Sequence, residues 1–100
     1  MDALNRPVEM IATCSPEGEL RPARFRVEGA DGEQITVRIR KIRGAEEIAY
    51  RGIEAFRFSC LAVIGGRLRS FELRYSVRDH RWVFWRFLDT EPIRPGISTQ

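Results

Sequence analysis

The sequence has no long apolar run, and it is poor in cysteine, histidine and lysine. No stretch approaches the roughly 18 consecutive apolar residues of a membrane-spanning helix, so we expect no membrane association. The opening residues MDALNRPVEMIATC lack the basic n-region and the long apolar h-region of a secretory signal. A cytoplasmic location is therefore the expectation.

The two cysteines, Cys14 and Cys60, lie far apart, and neither has a second cysteine or a histidine at ligand spacing. This spacing excludes the usual cysteine and histidine metal patterns, so we expect no metal site. Both side chains are expected to be free thiols. One bridge between them stays geometrically open, although the cytoplasm keeps most thiols reduced.

Residues for catalysis are also scarce. The only histidine, His80, falls in a predicted turn with Asp79 as its one acidic neighbour, and no serine or cysteine is placed near it. Glu46 and Glu47 are adjacent, so their side chains point apart instead of flanking a substrate. Gly65 and Gly66 lead into a strand and not into a helix that could bind phosphate. We expect no enzyme activity, no cofactor and no small-molecule substrate.

Lys41 is the only lysine among 17 basic residues, and the positive charge lies mainly on the predicted strands. Two interpretations stay open. Arginine is favoured where a planar guanidinium must bind an anion or stack on a ring. The same excess also follows from the codon bias of a GC-rich genome, since charge alone does not specify a partner.

With 100 residues, 43% hydrophobic and 31% charged, the chain has the composition of one small globular domain. We expect this domain to span residues 1–89. The segment TEPIRPGISTQ at residues 90–100 has two prolines and no hydrophobic periodicity, so it is expected to be a flexible C-terminal tail.

Alternation with a period of two dominates the sequence and predicts six strands. Their segments are PVEMIATC, ARFRVE, QITVRIRKIR, the two arms of a hairpin around Gly65 and Gly66, and WVFWRFL. The alternation breaks between Ile39 and Ile42, which predicts a bulge or bend near Arg40 and Lys41. Residues 44–53 are too short for a stable helix, and we expect a loop or a single turn there.

The sequence IGGR predicts a tight hairpin turn, because Gly65 and Gly66 tolerate the positive φ that such a turn requires. This turn sets three apolar cross-strand pairs on one face: Cys60 with Phe71, Phe58 with Leu73, and Phe56 with Tyr75. It also sets Arg57 directly opposite Arg74 on the other face. Like charges in that position are unfavourable, so solvent, Glu72, Glu54 or an anionic ligand must compensate them.

A second hairpin turns at RDHR, where Asp79 or His80 tolerates a left-handed backbone. If Val77 faces Trp82, Tyr75 pairs with Phe84 in the core and Arg74 faces Trp85 outside. A one-residue bulge instead turns Val83, Trp85 and Phe87 inward. Either register leaves the last strand apolar on both faces, so something must cover each face. The whole pattern is typical of an all-β, antiparallel meander curled into a barrel, and we favour an SH3-like barrel.

The segments RPARFRVEG and FELRYSVRDHRWVFWRF resemble small bacterial all-β proteins. Those proteins carry a P-x-x-F-x-x-x-G strand and an F-E-L-x-Y hairpin that ends in W-x-x-x-R. The matching residues are Pro22, Phe25, Gly29, Phe71, Glu72, Leu73, Tyr75, Trp82 and Arg86. The resemblance covers about two thirds of the chain and implies a fold, but it implies no activity.

Two functional hypotheses remain, both of them binding roles. The first is a protein-interaction or scaffolding module, a homodimer included, because aliphatic residues at outward positions would form a contiguous patch. These are Ile11, Leu61, Val63 and Leu68. The second is binding of nucleic acid or another anion through an arginine-rich sheet face, with an exposed aromatic for stacking. The residues proposed for it are Arg24, Arg26, Arg38, Arg40, Arg57, Arg74 and Trp85.

Overall fold

The computed structural model of the protein describes residues 5–50 and 53–89, with the side chains of residues 50 and 53 left aside. Seven β-strands and no helix occur within these two ranges. The strands are β1 (Arg6–Cys14), β2 (Leu20–Glu28), β3 (Gln34–Arg38), β4 (Lys41–Tyr50), β5 (Ile53–Ile64), β6 (Arg67–Ser76) and β7 (Arg81–Phe87). The predicted flexible tail at residues 90–100 lies outside the described residues.

All strands pair antiparallel in one sheet with the order β3-β2-β1-β7-β6-β5-β4. The sheet curls into a half-barrel because β3 and β4 follow one another along a single bent path. At the bend, the Ile39 amide donates to the Ala23 carbonyl of β2 at 2.9 Å. The next amide, of Arg40, donates to the Leu61 carbonyl of β5 at 2.8 Å. Two consecutive residues therefore tie together distant strands of the same sheet.

The core fills the concave side of this sheet and is centred on three phenylalanines. Phe25, Phe71 and Phe84 are fully buried, with ring centroids 5.1 to 6.0 Å apart. Burial of each such side chain contributes roughly 1.5 to 3 kcal/mol, so this cluster is a major source of stability. It also joins β2 to β6 and β7, neither of which lies next to β2 in the sheet.

The all-β, antiparallel, curled architecture is confirmed, but the structure has seven strands where the sequence pattern predicts six. The additional strand is β4, which contains residues 41–43 of the predicted third strand and most of the segment predicted as a loop or a single turn. It pairs with β5 from Lys41 to Tyr50, with a register shift between Ile42 and Gly44. Backbone pairing to a long neighbouring strand outweighs the weak local propensity of this segment. The predicted irregularity near Arg40 is present as the bend, followed by this bulge.

The first hairpin has the predicted register. Cys60 pairs with Phe71, Phe58 with Leu73, Phe56 with Tyr75, and Arg57 with Arg74. Gly65 and Gly66 have φ values of +63° and +79°, which a side chain would strain. A two-glycine turn thus positions every residue of β6 relative to β5.

The second hairpin has neither of the two registers that the sequence left open. Arg74 pairs with Val83 and not with Trp85, and of the three residues that a bulge was expected to turn inward only Phe87 packs on the core. Tyr75 pairs with Trp82, so Trp82 and Phe84 face the core, two positions from the predicted pairing. A register shift beyond Phe84 makes Trp85 the extra residue of a bulge, and Phe87 then packs against the core. His80 occupies the turn with a left-handed φ of +56°, as its position predicts.

Candidate functional site

The predicted site arginines divide into two groups on the outer face of the sheet. The first group, which we call the paired arginine cluster, consists of the predicted Arg57 and Arg74 together with Arg86, which was not predicted as a site residue, around the carboxylates of Glu46 and Glu72. Arg57 forms an ion pair with Glu46 across the β4–β5 pairing. Arg74 Nε donates to Glu72 at 2.7 Å, and Arg86 Nε donates to the other oxygen of the same carboxylate at 2.9 Å. Three guanidinium groups therefore share two carboxylates.

Glu72 is the centre of this cluster and is only 1% exposed, although its backbone position faces outward. Burial by itself raises the pKa of the Glu72 carboxyl. Hydrogen bonds from Arg74 and Arg86, together with their charges, outweigh this effect and hold the pKa below its usual value. Glu72 is therefore an ionised carboxylate that neutralises the arginines covering it.

Trp85 also belongs to this cluster. The Arg74 guanidinium lies over the Trp85 ring, 3.9 Å from the ring centroid. Arg74 and Trp85 are close, as predicted, but the contact is diagonal, because Arg74 pairs with Val83 and not with Trp85. A cation over an indole face is worth about 0.5 to 1 kcal/mol at a partly exposed site. Trp85 could have been free to stack on a base or on Arg74, and in the structure it stacks on Arg74.

The second group lies on β2, on β3 and at the bend that follows β3, and we call it the open arginine face: Arg24, Arg26, Arg38 and Arg40. Arg24 and Arg38 are direct cross-strand partners, which is a second like-charge pair. Arg26 donates from Nε to Glu9 of β1 at 2.9 Å. Within residues 5–50 and 53–89, no carboxylate forms an ion pair with Arg24, Arg38 or Arg40. This face therefore carries positive charge that the described part of the protein leaves uncompensated.

Two shallow recesses follow the open arginine face. One, of about 430 Å³, lies between Ile11 of β1 and the pair Arg24 and Arg38. The other, of about 450 Å³, is lined by Thr36, Arg38, Arg40 and Val63. Val63 belongs to β5, so the curl of the sheet brings the far end of that strand beside β3. Arg38 lines both recesses and lies at the middle of the surface.

The predicted interface residues border the same surface. Ile11 is 52% exposed, Val63 41% and Leu68 59%. Val63 and Leu68 are cross-strand partners, while Ile11 is the partner of Arg24. Leu61 is half-buried and pairs with Lys41 at the start of β4. The structure thus places aliphatic side chains on both sides of the open arginine face, which the sequence pattern treats as a separate site.

The sequence pattern missed the ionic partner of Arg57. Glu46 pairs with Arg57 only because residues 41–50 form a strand. Residues 44–53 were expected to be a loop or a single turn, so the sequence pattern predicted no cross-strand partner from this segment. It also missed the exposed Leu88, whose amide donates to the Ser70 carbonyl at 2.8 Å. By contrast, the alternation along β6 was sufficient to name Glu72 as a partner for Arg74.

The single histidine and the two cysteines lie in separate parts of the structure. His80 Nδ1 lies 3.0 Å from the Tyr75 hydroxyl in the β6–β7 turn. Cys14 is an exposed free thiol, and Cys60 is buried, which raises the pKa of its thiol to about 12. Among the described residues, no group of three or more histidine, cysteine or acidic side chains is positioned to hold a metal ion. The same residues include no helix long and apolar enough to cross a membrane.

Comparison with protein-family models, with curated proteins and with solved structures found no match for this chain. The resemblance to small bacterial all-β proteins therefore stays a prediction. A functional assignment has to come from the two arginine surfaces themselves.

Proposed function

We propose that the protein is a non-enzymatic binding module, and that its open arginine face binds an acidic segment of a protein partner. The proposal rests on a contrast between the two arginine surfaces: among the described residues, carboxylates neutralise the arginines of the paired arginine cluster but not most of those on the open arginine face. Arg24, Arg38 and Arg40 have no carboxylate partner within the described ranges, and they lie beside the exposed side chains of Ile11 and Val63.

The like-charge pair favours an anionic ligand. Arg24 and Arg38 face each other across β2 and β3, an arrangement that costs a few tenths of a kcal/mol or more without a counter-charge. A carboxylate placed between them accepts hydrogen bonds from both guanidinium groups and removes that repulsion. Such charge-assisted bonds are about twice as strong as neutral ones. Binding of an acidic side chain here is therefore favoured, because it relieves the repulsion between Arg24 and Arg38 in the free protein.

The aliphatic border favours a protein over a nucleic acid. Contact with apolar side chains of a partner would bury the exposed aliphatic surface of Ile11 and Val63. Contact with a charged phosphodiester backbone would give no comparable stabilisation. An acidic segment that also carries aliphatic residues uses the guanidinium groups and the aliphatic border together. No aromatic side chain with more than slight exposure lines either recess, since Phe25 is 1% exposed. A platform for stacking bases is thus missing from this surface.

Nucleic-acid binding through the same face is the second candidate. It is favoured by the row of guanidinium groups on β2 and β3, which could bind successive phosphates without reading bases. This candidate requires a steep loss of affinity with salt and no contribution from Ile11 or Val63. The finer assignment of the half-barrel as SH3-like stays a prediction and supports neither candidate over the other.

The test is fluorescence anisotropy of labelled probes at two salt concentrations. The probes are an acidic peptide with alternating aliphatic residues, an acidic peptide without them, single-stranded DNA, single-stranded RNA and duplex DNA. We expect the aliphatic acidic peptide to bind most tightly and Arg38→Glu to abolish its binding. Arg78→Glu is the matched control, because Arg78 is an exposed arginine in the β6–β7 turn, away from this face.

The outcomes separate the two candidates. Tight peptide binding that depends on Arg38 and weakens in Ile11→Ser supports the protein-binding role. Nucleic-acid binding that depends on Arg38 but not on Ile11 replaces it by the second candidate. If no probe binds, or if Arg38→Glu and Arg78→Glu behave alike, the open arginine face is not the functional surface.

A further inference from the structure

Strand β4 lies at one end of the sheet, and one of its two sides has no partner strand within the described ranges. It pairs with β5 alone, and no Cα atom of any other described strand lies within 8 Å of a Cα atom of β4. In paired strands, opposite Cα atoms are about 4.5 to 5.5 Å apart, and about half of the N–H and C=O groups point away from any one partner. We call the unpaired side, over residues 44–49, the β4 edge.

The β4 edge lacks most of the features that protect exposed strands. Natural sheets shield such edges with lysine, proline or bulges. On β4, a lysine and a bulge occur only at the start, as Lys41 and the register shift between Ile42 and Gly44. From Gly44 to Ala49 the pairing to β5 continues without a further shift, and the stretch has no proline or lysine. These residues are exposed, apart from the half-buried Ile48, so an incoming strand can reach them.

A recess of about 210 Å³ lies along the β4 edge, between this edge and residues 18–20. Phe56 and Phe58 line it, and they are the cross-strand partners of Glu47 and Ala45. The volume equals that of about seven water molecules in the liquid, which suits one aliphatic side chain. In an added strand, alternate side chains point to the same face of the sheet. One of them would therefore lie over the two phenylalanine rings.

The border of this recess is acidic. Glu19, Glu46 and Glu47 line it, and no basic residue of the described chain does. Glu19 lies 3.6 Å from Arg21, and Glu46 is bonded to Arg57. Glu47 is exposed and forms no ion pair with any residue of the described ranges. Its carboxylate is thus open to a cationic side chain of a partner.

The same charges decide between a second copy and a different partner. Two antiparallel copies of residues 44–49 in register would place Glu46 of each copy directly opposite Glu47 of the other, which is unfavourable. A shift that brings Arg43 opposite Glu47 carries the pairing across the bulge at Ile42–Gly44, where the ladder is disrupted. A segment with lysine or arginine places opposite charges together without crossing the bulge. The occupant that fits best is therefore an extended basic segment of another protein.

We propose that the β4 edge binds an extended basic segment of a partner protein by strand addition, with one aliphatic side chain in the recess and a lysine or arginine beside Glu47. In this mode, main-chain hydrogen bonds give affinity and alternate side chains give specificity. The residues around the recess include none of the open arginine face. The two sites can therefore be tested, and can fail, independently of one another.

The first experiment measures fluorescence anisotropy of a labelled peptide of alternating lysine and valine residues. Its control is the same peptide with every main-chain amide methylated, which keeps the charge and the side chains but removes the hydrogen-bond donors. We expect the unmethylated peptide to bind at least tenfold more tightly. Equal affinity of the two peptides would mean that charge alone holds them, and it overturns the proposal, as does the absence of binding.

Three variants test the parts of the site. Glu47→Lys should weaken binding of the lysine–valine peptide about tenfold, because it sets a like charge against the peptide. Ala45→Leu should weaken it by a similar factor without changing the charge, because the larger side chain fills the recess. The matched control is Glu33→Lys, at an exposed glutamate between β2 and β3 that lies outside the recess, and it should leave the affinity unchanged. Equal effects of the two lysine substitutions contradict the proposal.

Amide hydrogen exchange locates the bound peptide. Binding should slow the exchange of alternate amides within residues 44–49 and leave those of β3 unchanged. Protection elsewhere, with no change at residues 44–49, places the peptide on another surface and overturns the proposal. Light scattering of the protein without peptide tests the other occupant. Self-association that protects the same amides would make a second copy the partner of the β4 edge, and it would also overturn the proposal.

Discussion

The paired arginine cluster and the open arginine face share one structural feature but differ in their ionic partners. Each contains two arginines placed directly opposite one another on neighbouring antiparallel strands: Arg57 with Arg74, and Arg24 with Arg38. In the first region, Glu46 and Glu72 supply a carboxylate to each member of the pair. In the second, no carboxylate within the described chain does so.

The difference teaches that a stripe of arginines on a strand does not define an anion site by itself. A like-charge pair becomes a structural element when carboxylates of neighbouring strands and an aromatic ring compensate it. It becomes a candidate binding surface when nothing does. The following substitutions test this distinction, because the same change in the two regions should have different consequences.

The largest effect should come from Glu72→Gln in the paired arginine cluster. This change leaves Arg74 and Arg86 without their shared carboxylate at a site that is almost fully buried. Losing two hydrogen bonds to an ionised carboxylate costs about 3 kcal/mol in total, and urea unfolding should show that loss. The matched control is Glu9→Gln, since Glu9 pairs with Arg26 on the open surface. We expect it to cost less than about 1 kcal/mol. Similar losses for both variants would remove the distinction between the two regions.

Arg74→Glu should give the next largest loss of stability, about 2 kcal/mol by urea unfolding. It sets a new carboxylate against the buried Glu72 and removes the cation over the Trp85 ring. Arg74→Met keeps most of the apolar stem and adds no like charge, so it should cost less. A charge reversal that is tolerated as well as the methionine change would mean that Glu72 does not depend on Arg74.

Acid should remove the contribution of the paired arginine cluster. The pKa of Glu72 is lower in the folded protein than in an unfolded chain, where a glutamate titrates near 4.3. Its stabilising effect is therefore fully present above that pH and is lost as the pH falls through the folded pKa. We expect the stability gap between the unmodified protein and Glu72→Gln to be constant from about pH 7 to 5 and to shrink below. A gap that widens in acid would reverse the sign and contradict this account.

The sequence predicted the β5–β6 hairpin well, and the strands on either side of it, β4 and β7, poorly. Between Phe56 and Tyr75, alternation and a two-glycine turn specify the register of every residue pair, because the period of two and the turn act on the same strands. At residues 41–50, alternation is weak and the pairing to β5 is decided by long-range contacts. No local pattern reveals those contacts, and the prediction of a loop was wrong for that reason.

The site was predicted in its parts but not in its arrangement. Outward parity correctly placed Arg24, Arg38 and Arg57 on the outer side of their strands. Whether each arginine has a carboxylate partner depends on which strands become neighbours. The position of Val63 beside Arg38 depends further on the bend at Ile39 and Arg40. Both depend on how the sheet curls, and the residue pattern of a single strand does not predict that curl.

The smallest effect, and the one with opposite sign, is expected for Arg38→Glu on the open arginine face. The new carboxylate would lie directly opposite Arg24, so a repulsive cross-strand pair becomes an attractive one. We expect the free energy of unfolding to rise by a few tenths of a kcal/mol, against the loss expected for Arg74→Glu. Thermal unfolding at low and high salt is the measurement, because the gain should fade when salt screens the exposed pair. A destabilised Arg38→Glu variant would show that Arg38 already has a stabilising partner in the free protein. In that case the charge of Arg38 is already compensated in the free protein, and the reason for placing the binding surface on this face would be lost.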